Sequence, residues 1–484
     1  MVFDETSVET KRYLSSTSLT THHSHRFVSL FDFLAGLLPF HLIVFLLKFA
    51  NRSKYSRKIN SQQFLKRANK FFGSQQFFQV TKCLKVAMWL FGDDLPSTYR
   101  RLVLLEFFKF IDEPGLHKKV SDSLTIATQS LASQPHPITP DTWFFLSRFF
   151  ASFAFMNAAV VARERSVYLR KIVSVDERSS RRQLETLCAA LLESLALKEV
   201  NLVLNKFGQR FRPDKYLHFN LHLDLLTGNR LSSETDVDNL ILDSESNMRD
   251  LIRGKRVSLV GPGFPIADFG REIDQADLVF RIKFPGRRYL LENQNYGVRC
   301  DIAEFTNVTS MELLIKDGVR LDFFDGLKAV VVLNRTNSKS IQGVPIYHFD
   351  NFNTTYQLSD LTTGVRCLVN LLLLEPASVK LFGFDFYAGK EMYDFDRIKF
   401  YQEYGWAMGN PIWSSKDRSK SFSDRVRSFL LHDQISNFVL ARNLYLVGRF
   451  EIEPFGASIL SLDPSEYANR IECVMRETLR KNVD

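Results

Sequence analysis

The stretch SLVGPGFPIADFGREIDQADLVFRIKFP, residues 258–285, decides the fold. An apolar run ends in Gly-Pro-Gly, a short helix-like segment follows, and a second apolar run ends in an arginine. Gly261 and Gly263 permit positive φ angles and close approach of the backbone, so the N-terminus of a following helix can face a phosphate. The stretch therefore predicts half of a nucleotide-binding fold, although a tight strand-to-helix turn alone also needs these glycines.

The same stretch narrows the choice of nucleotide. A dinucleotide-binding fingerprint needs a third glycine and an acidic residue at the end of the second strand, but Ile266 and Arg281 stand at these positions. NAD is therefore disfavoured. The sequence also contains no G-x-x-x-x-G-K-[ST] motif, which excludes a P-loop kinase or ATPase.

The chain divides into a helical part and a part in which strands and helices alternate. Residues 55–230 place apolar side chains at helical spacing, which predicts an all-α domain, either a bundle or a small α-solenoid. From Lys255 the runs RVSLV, DLVFRI, KAVVVLN, VPIYHF and SVKLFGFDF alternate with helical segments. This alternation predicts a parallel sheet with crossover helices over residues 250–460, followed by a C-terminal helix or tail over 461–484.

Composition limits the classes of protein. The chain has 484 residues, of which 45% are hydrophobic and 24% charged, and this indicates folded domains rather than general disorder. The net charge of +9 is typical of proteins with anionic ligands or surfaces, but equally of a merely soluble basic protein. The 5 cysteines include no C-x-x-C pair, so neither a disulfide framework nor a zinc site is predicted.

The N-terminus is predicted to attach the protein to a membrane. Residues 1–26 are polar and predict a disordered tail, and residues 27–50 are mostly apolar over the ~20 residues that cross a bilayer. Asp32 interrupts this run, and a basic cluster beginning with Lys48 and Arg52 follows it. A spanning helix, a helix lying in the membrane interface and a buried helix of the next domain all fit this pattern. For a spanning helix, the basic flank would leave the C-terminal bulk in the cytoplasm.

Several pieces of the C-terminal half follow one another in a specific order. Gly-Pro-Gly is followed by G-x-x-I-D-x-x-D-x-V-x-R, YGVRCDI, TTGVRCLVNLLLL, SVKLFGFDFY and LLHDQISNFVLARNL. In this order the series resembles the sialyltransferase family of glycosyltransferases over about residues 254–455. The resemblance implies a Rossmann-like α/β domain of the GT-A-variant type, a CMP-activated sugar donor, inversion at the anomeric carbon, and no required metal or other cofactor.

The resemblance also implies which residues bind the donor. They occupy what resemble the large and small motifs of the family: Gly261, Pro262, Gly263, Arg281, Lys283, Thr362, Thr363 and Gly364. Pro262 and Lys283 replace asparagines that contact the donor nucleotide in the family, and Asn437 replaces a glutamate. A threonine at a helix start, such as Thr362, is ordinarily a cap, and this is compatible with a ligand site because the same amides can meet an anion.

Two residues are predicted to be catalytic. His432 resembles the histidine of the family's very small motif, and a histidine has the pKa range of a general base at neutral pH. Asp433 follows it and is also predicted to cap the next helix. A lone histidine is more often structural, and a basic loop at residues 416–420 is an alternative group to balance the charge of the leaving phosphate.

The expected protein is a membrane-associated glycosyltransferase that moves sialic acid or a related keto-sugar acid from a CMP donor to a glycan or glycolipid. Val257 and Pro376 stand near positions where animal members of the family have a disulfide pair, which favours a cytoplasmic catalytic domain over one in the Golgi. Nucleic acid is not an expected partner. Two other functions fit: a helical scaffold that binds a nucleotide without turnover, and a metal-dependent UDP- or GDP-sugar transferase using the D-x-D sequence at 394–396.

Overall fold

The structure, a computed structural model, describes most of the chain between residues 114 and 480. The described ranges are 114–133, 138–151, 154–228, 246–263, 267–284, 286–305, 324–333, 340–349, 361–389 and 432–480. They belong to one compact unit, Asp112–Asp484. The predicted tail, the apolar segment 27–50, the D-x-D sequence and the basic loop at 416–420 lie outside these ranges. Among the described helices, none is long and apolar enough to cross a membrane.

Six helices occupy the described residues between 114 and 227, where the apolar spacing predicts helices. They are α1 (Pro114–Ser133), α2 (Pro140–Ala151), α3 (Met156–Lys171), α4 (Arg181–Glu193), α5 (Leu197–Phe207) and α6 (Pro213–Thr227). Three of them begin with proline, whose missing N–H costs no hydrogen bond at that position. Ser180 and Gln183 form a reciprocal capping box at α4, and Gly228 ends α6 in the left-handed conformation.

The division between α4 and α5 is not visible in the sequence pattern. Apolar spacing continues from residue 181 to 207, but Leu195 adopts a φ of 55° between the two helices. The amide of Ala196 donates there to the carbonyl of Leu191 at 2.9 Å. Neither glycine nor proline stands at this turn, so no residue type marks it.

The described residues form an eight-stranded, mostly parallel sheet, which confirms the predicted α/β architecture. The strands are β1 (Arg256–Val260), β2 (Leu278–Ile282), β3 (Ile302–Phe305), β4 (Ala329–Val332), β5 (Ser340–Ile341), β6 (Val344–His348), β7 (Ser378–Phe382) and β8 (Glu451–Ile452). Their order is β5-β6-β4-β3-β2-β1-β7-β8, and only β5 and β6 pair antiparallel. The five predicted runs coincide with β1, β2, β4, β6 and β7, whereas β3, β5 and β8 are additional.

The chain builds the sheet in two directions from β1. Strands β2, β3, β4 and β6 extend it to one side, and a helix then returns the chain to β7 on the other side of β1. The helices of this part are α7 (Ser246–Ile252), α8 (Gly270–Asp274), α9 (Arg287–Glu292), α10 (Thr363–Leu373), α11 (Gln434–Leu446), α12 (Pro454–Leu460) and α13 (Pro464–Arg480), and α10 is the returning one. The strand order therefore reverses between β1 and β7, and such a reversal opens a crevice at the carboxyl edge of a sheet.

Buried polar contacts join the early helices to the late ones. Helix α13 packs against α1 and α3, and α11 packs against α4 and α6. The carboxylate of Glu472 in α13 accepts hydrogen bonds from Ser121 Oγ in α1 and from the amide of Asn157 in α3. Asp433, just before α11, forms an ion pair of 2.8 Å with Arg163 in α3. Helices that lie far apart in the sequence therefore support the end of the chain that carries His432.

Candidate functional site

The turns after β1 and β7 touch each other at the crevice. The amide of Gly261 donates to the carbonyl of Phe382 at 2.8 Å, and the amide of Gly263 donates to the carbonyl of Gly383 at 3.1 Å. A Cβ atom at Gly261 would lie 2.6 Å from the oxygen of Gly383, and one at Gly263 would lie 2.5 Å from it. Pro262 is half-buried between the two glycines. Close packing of the two turns therefore requires both glycines.

The helix expected directly after the Gly-Pro-Gly turn is short and starts late. Among the described residues, the first helix after the turn is α8, which begins at Gly270 and has 5 residues. The amide of Gly270 already donates to Oδ1 of Asp268 at 3.0 Å. A helix of little more than one turn has a small macrodipole, so α8 is poorly suited to bind a phosphate.

The start of α10 packs against the same two turns. A Cβ atom at Gly364 would lie 2.6 Å from the ring of Phe384, the residue after Gly383. The same ring would lie 3.1 Å from a Cβ atom at Gly261. Phe384 therefore lies between the turn after β1 and the first turn of α10, which brings the Thr-Thr-Gly and Gly-Phe sequences to the Gly-Pro-Gly turn.

Thr362 is the N-cap residue of α10, but its side chain does not cap the helix. Its amide and its Oγ1 donate to Oδ1 of Asn437, at 2.8 Å and 3.2 Å. The expected side-chain cap is therefore wrong, although the helix begins at the expected place. The first amides of an α-helix have no partner within the helix, so the half-buried Thr363 and Gly364 present uncapped N–H groups.

Asn437 connects the start of α10 to the start of α11. Its side chain accepts from Thr362 and donates through Nδ2 to the carbonyl of Asp433 at 2.8 Å. A carboxylate can only accept hydrogen bonds, so a glutamate here could not make both contacts. The substitution noted in the sequence thus has a structural consequence, but only the tertiary structure reveals it.

Asp433 is buried and paired on several sides. It is 1% exposed, and it caps α11 by accepting from the amide of Ser436 at 3.1 Å, which confirms the predicted cap. It lies 2.8 Å from Arg163 and 3.7 Å from Arg148. Burial alone would raise the pKa of this carboxyl, but Arg163 and Arg148 lower it to about 2. This geometry suits an anchor for α11 better than a group that exchanges protons with a substrate.

His432 precedes this anchor and is half-buried. Its carbonyl accepts from Nη1 of Arg148 at 2.8 Å, across 284 residues of sequence. Arg148 itself is 6% exposed and lies in the aromatic run WFFLSRFF of α2. An arginine inside such a run is the one sequence signal that could have indicated a buried charge, but nothing in it indicates the partner.

Arg281 and Lys283 occupy the end of β2 in different ways. Arg281 is 1% exposed, and its guanidinium donates at 2.7 Å to the carbonyls of Arg299 and of Tyr296. It therefore supports the loop before β3 from inside the protein. Lys283 is half-buried and has a φ of 50°, a left-handed conformation that is unfavourable for a residue with a side chain.

Glu304 is a buried carboxyl at the end of β3 that the sequence pattern does not single out. It is 0% exposed, and its Oε2 accepts from the amide of Lys283 at 3.1 Å. Its Oε1 is buried and has no hydrogen-bond partner in the part of the chain that the structure describes. Burial raises the pKa of this carboxyl to about 7, although the Lys283 amide and the charges of Lys283 and Arg366 act in the opposite direction.

The first turn of α10 passes over the part of the sheet where Glu304 lies. On one side Gly364 packs against the loop after β7, and on the other Arg366 donates to backbone carbonyls at the ends of β4 and β6. In the sheet, β3 lies between β7 on one side and β4 and β6 on the other. The pKa of the Cys367 thiol in α10 is raised, first by burial and then by the charge of Glu304. The buried carboxyl of Glu304 therefore lies near Arg366 and Cys367 of α10.

The structure brings most of the predicted donor-binding residues together and turns two predicted site residues inward. The segments 261–263, 362–364 and 383–384 meet at the crevice, and Asn437 connects them to 432–433. The side chains of Arg281 and Asp433 are directed into the protein.

Within the described ranges, no group of three or more His, Cys, Asp and Glu side chains is arranged to hold a metal ion. A scan of the sequence against models of known protein families found no match, and a search of curated proteins found none either.

Proposed function

We propose that this protein is an inverting glycosyltransferase with a Rossmann-like, sialyltransferase-like domain, which transfers an acidic sugar from a CMP-linked donor to a glycan or glycolipid. The observation that carries the proposal is the meeting of residues 261–263, 362–364 and 383–384 at one crevice. Ligands of open parallel sheets bind at the carboxyl edge where the strand order reverses. The segments that carry the family resemblance lie at this edge, between β1 and β7.

The start of α10 is suited to the donor phosphate. Its first amides are uncapped, and the N-terminus of an 11-residue helix favours an anion through these N–H groups and the helix dipole. The ring of Phe384 fills the space that a side chain at Gly364 would need, so this glycine lets the loop after β7 pack against the start of the helix. The cationic side chains of Lys283 and Arg366 add positive charge nearby.

The proposed chemistry needs one proton acceptor and one anion site. The bond between the anomeric carbon and the phosphate oxygen breaks, the acceptor hydroxyl attacks from the opposite face, and His432 accepts the hydroxyl proton. The leaving phosphate keeps the electron pair and is stabilised at the start of α10. Arg148 and Asp433 fix the backbone that carries His432. A positioned base contributes about 10²- to 10⁴-fold to such a step.

The membrane is the proposed location of the acceptor. Residues 27–50 would hold the protein at a bilayer, and the basic residues after them would keep the catalytic domain on the cytoplasmic side. A glycolipid under construction is the acceptor class that this arrangement favours.

A second candidate function is nucleotide binding without turnover. Arg281 and Asp433, two of the charged residues expected at the site, are fully engaged by protein groups. The segments 261–263 and 362–364 would then hold a nucleotide without any of these charged side chains taking part in a reaction.

A donor panel tests the proposal. The full-length protein is incubated with labelled CMP-, UDP- and GDP-sugars, with and without EDTA, and single-turnover transfer is compared for wild type and His432→Ala. We expect turnover of a CMP-linked acidic sugar that is insensitive to EDTA, and a loss of at least about a hundredfold in His432→Ala. Binding of CMP without turnover would favour the second candidate. EDTA-sensitive use of a UDP- or GDP-sugar would favour a metal-dependent transferase instead.

A further inference from the structure

Glu304 has half of its hydrogen-bonding capacity unused in the protein interior. Its Oε2 accepts from the Lys283 amide, and Lys283 adopts its unfavourable φ of 50° where it makes this bond. Its Oε1 has no hydrogen-bond partner among the described residues, although Glu304 is 0% exposed. A buried polar atom without a partner is costly, and in a native protein it calls for a functional explanation.

Among the described residues around Glu304, none forms an ion pair with its carboxyl. Its described neighbours include Ile282 and Val331 beside it in the sheet, Lys283 after β2, and Arg366 and Cys367 on α10. Arg366 donates to backbone carbonyls, and burial raises the pKa of the Cys367 thiol, which keeps it neutral. Among the described residues, no cation lies within salt-bridge distance of Glu304, and a buried carboxyl in this position favours its neutral form.

We propose that Glu304 is a proton-donating contact for a phosphate ester anion bound at the first turn of α10. Because Oε2 accepts from the Lys283 amide, the proton of the neutral carboxyl belongs on Oε1, the atom without a partner. The uncapped amides of α10 and this O–H group then donate to the same anion. The identity of the ester as the CMP-linked donor rests on the proposed function.

Binding of such an anion is linked to protonation. The pKa of Glu304 is about 7 in the protein, and a nearby negative charge raises a carboxyl pKa further. Above this pH, the anion therefore binds with uptake of a proton, and its affinity falls by up to about tenfold for each pH unit. The hydrogen bond becomes stronger as charge develops on the leaving phosphate, so it also favours transfer.

The test is calorimetric titration of the full-length protein with the methyl esters of CMP, UMP and AMP. These diesters have a constant charge, whereas a monoester changes its own charge near pH ~6. Titrations span about pH 6 to about pH 8.5, on both sides of the pKa of about 7. Two buffers with different ionisation enthalpies give the number of protons taken up on binding.

The matched variants are Glu304→Gln, which keeps a donor of similar shape without the charge, and Glu451→Gln, an exposed strand glutamate in β8. We expect proton uptake and pH-dependent affinity in wild type and in Glu451→Gln. In Glu304→Gln we expect no proton uptake, a flat pH profile and an affinity near pH ~6 within a few-fold of wild type. A pH dependence that persists in Glu304→Gln would overturn the inference and would point to His432, which can titrate in the same range.

Failure of the inference and failure of the proposed function give different results. Wild type that binds the CMP ester without proton uptake overturns the contact with Glu304 and supports the donor class. Wild type that binds the UMP or AMP ester with proton uptake, but not the CMP ester, supports the contact and overturns the donor class. Absence of binding by all three esters overturns both.

Discussion

Replacement of Asp433 by asparagine removes a buried charge and keeps the shape of a helix cap. The carboxylate caps α11 by accepting from the amide of Ser436. It also forms ion pairs with Arg163 at 2.8 Å and with Arg148 at 3.7 Å. Asparagine caps helices about as well as aspartate. Asp433→Asn therefore reports the loss of the charge, and Asp433→Ala reports the loss of the charge and of the cap together.

The expected cost follows from burial. Removal of one partner of a buried ion pair typically costs about 3–5 kcal/mol. Arg163 keeps a second carboxylate, Glu193 at 2.7 Å, so we expect the lower end, about 3 kcal/mol for Asp433→Asn. Loss of the cap adds about 1 kcal/mol in Asp433→Ala.

The pKa of Asp433 gives a second estimate of the same interaction. A folded-state pKa of about 2 against an ordinary value of 3.8 corresponds to roughly 2–3 kcal/mol. Because this pKa is lowered, the stabilisation is complete above pH 3.8 and is lost as the pH falls through about 2. The two estimates agree in size.

Urea unfolding of the full-length variants near neutral pH measures the effect. The control is Asp214→Asn, because Asp214 pairs with Arg212 at 3.5 Å and both side chains are about half exposed; we expect a change of less than about 1 kcal/mol there. If Asp433→Asn unfolds within about 1 kcal/mol of wild type, the buried network does not stabilise the start of α11 as argued. If the free energy of unfolding falls as much in Asp214→Asn as in Asp433→Asn, the destabilisation is not specific to buried ion pairs.

Three further outcomes are expected. The pKa of Glu304 is raised from 4.5 to about 7. The neutral carboxyl therefore makes its full contribution to the free energy of unfolding below pH 4.5, and this contribution is lost as the pH rises through 7. In urea titrations, the free energy of unfolding of Glu304→Gln should therefore rise by up to about 3 kcal/mol relative to wild type as the pH increases between these values. Parallel plots of this free energy against pH for the two proteins would contradict the expectation. A fragment that starts near residue 247 lacks Arg163 and Ser121, the partners of Asp433 and Glu472; we expect no cooperative thermal transition, and a sharp one would show that the early helices are dispensable. Deletion of residues 1–58 should remove the protein from vesicles in a flotation assay, and full-length protein that does not float would exclude residues 27–50 as a membrane segment.

The strands of the sheet were predictable because most of them are buried on both faces. Parallel strands covered on both sides are rich in apolar residues, and so are β1, β2, β4, β6 and β7, although Arg281 stands inside β2 and Lys380 inside β7. Strand β3 has the sequence IAEF, and Glu304 interrupts its apolar run. This central strand was missed because it has only 4 residues and Glu304 is one of them, so the apolar run is too short to stand out.

The site was predictable only in its backbone features. Gly261 and Gly263 lie where two backbones approach closely, and Gly364 lies against the ring of Phe384, as glycines after strands and at helix starts predict. Thr362 stands at the predicted N-cap position, but its amide and hydroxyl donate to Asn437 and its side chain does not cap the helix. A side chain from a distant helix decides that outcome, and local patterns contain no information about it.

Arg148 and Glu304 stand inside apolar runs, and the structure explains them differently. Arg148 contacts the carbonyl of His432 and lies beside the carboxylate of Asp433, so its charge is matched by protein groups. Glu304 has one oxygen matched and one without a partner. A buried charged group whose hydrogen bonds and ion pairs are complete stabilises the fold. A buried polar group with only part of its hydrogen bonds lowers stability, and it persists only where another interaction, such as ligand binding, compensates. We therefore expect substitutions of the Asp433 pair to change stability first, and substitutions of Glu304 to change ligand binding while they raise stability.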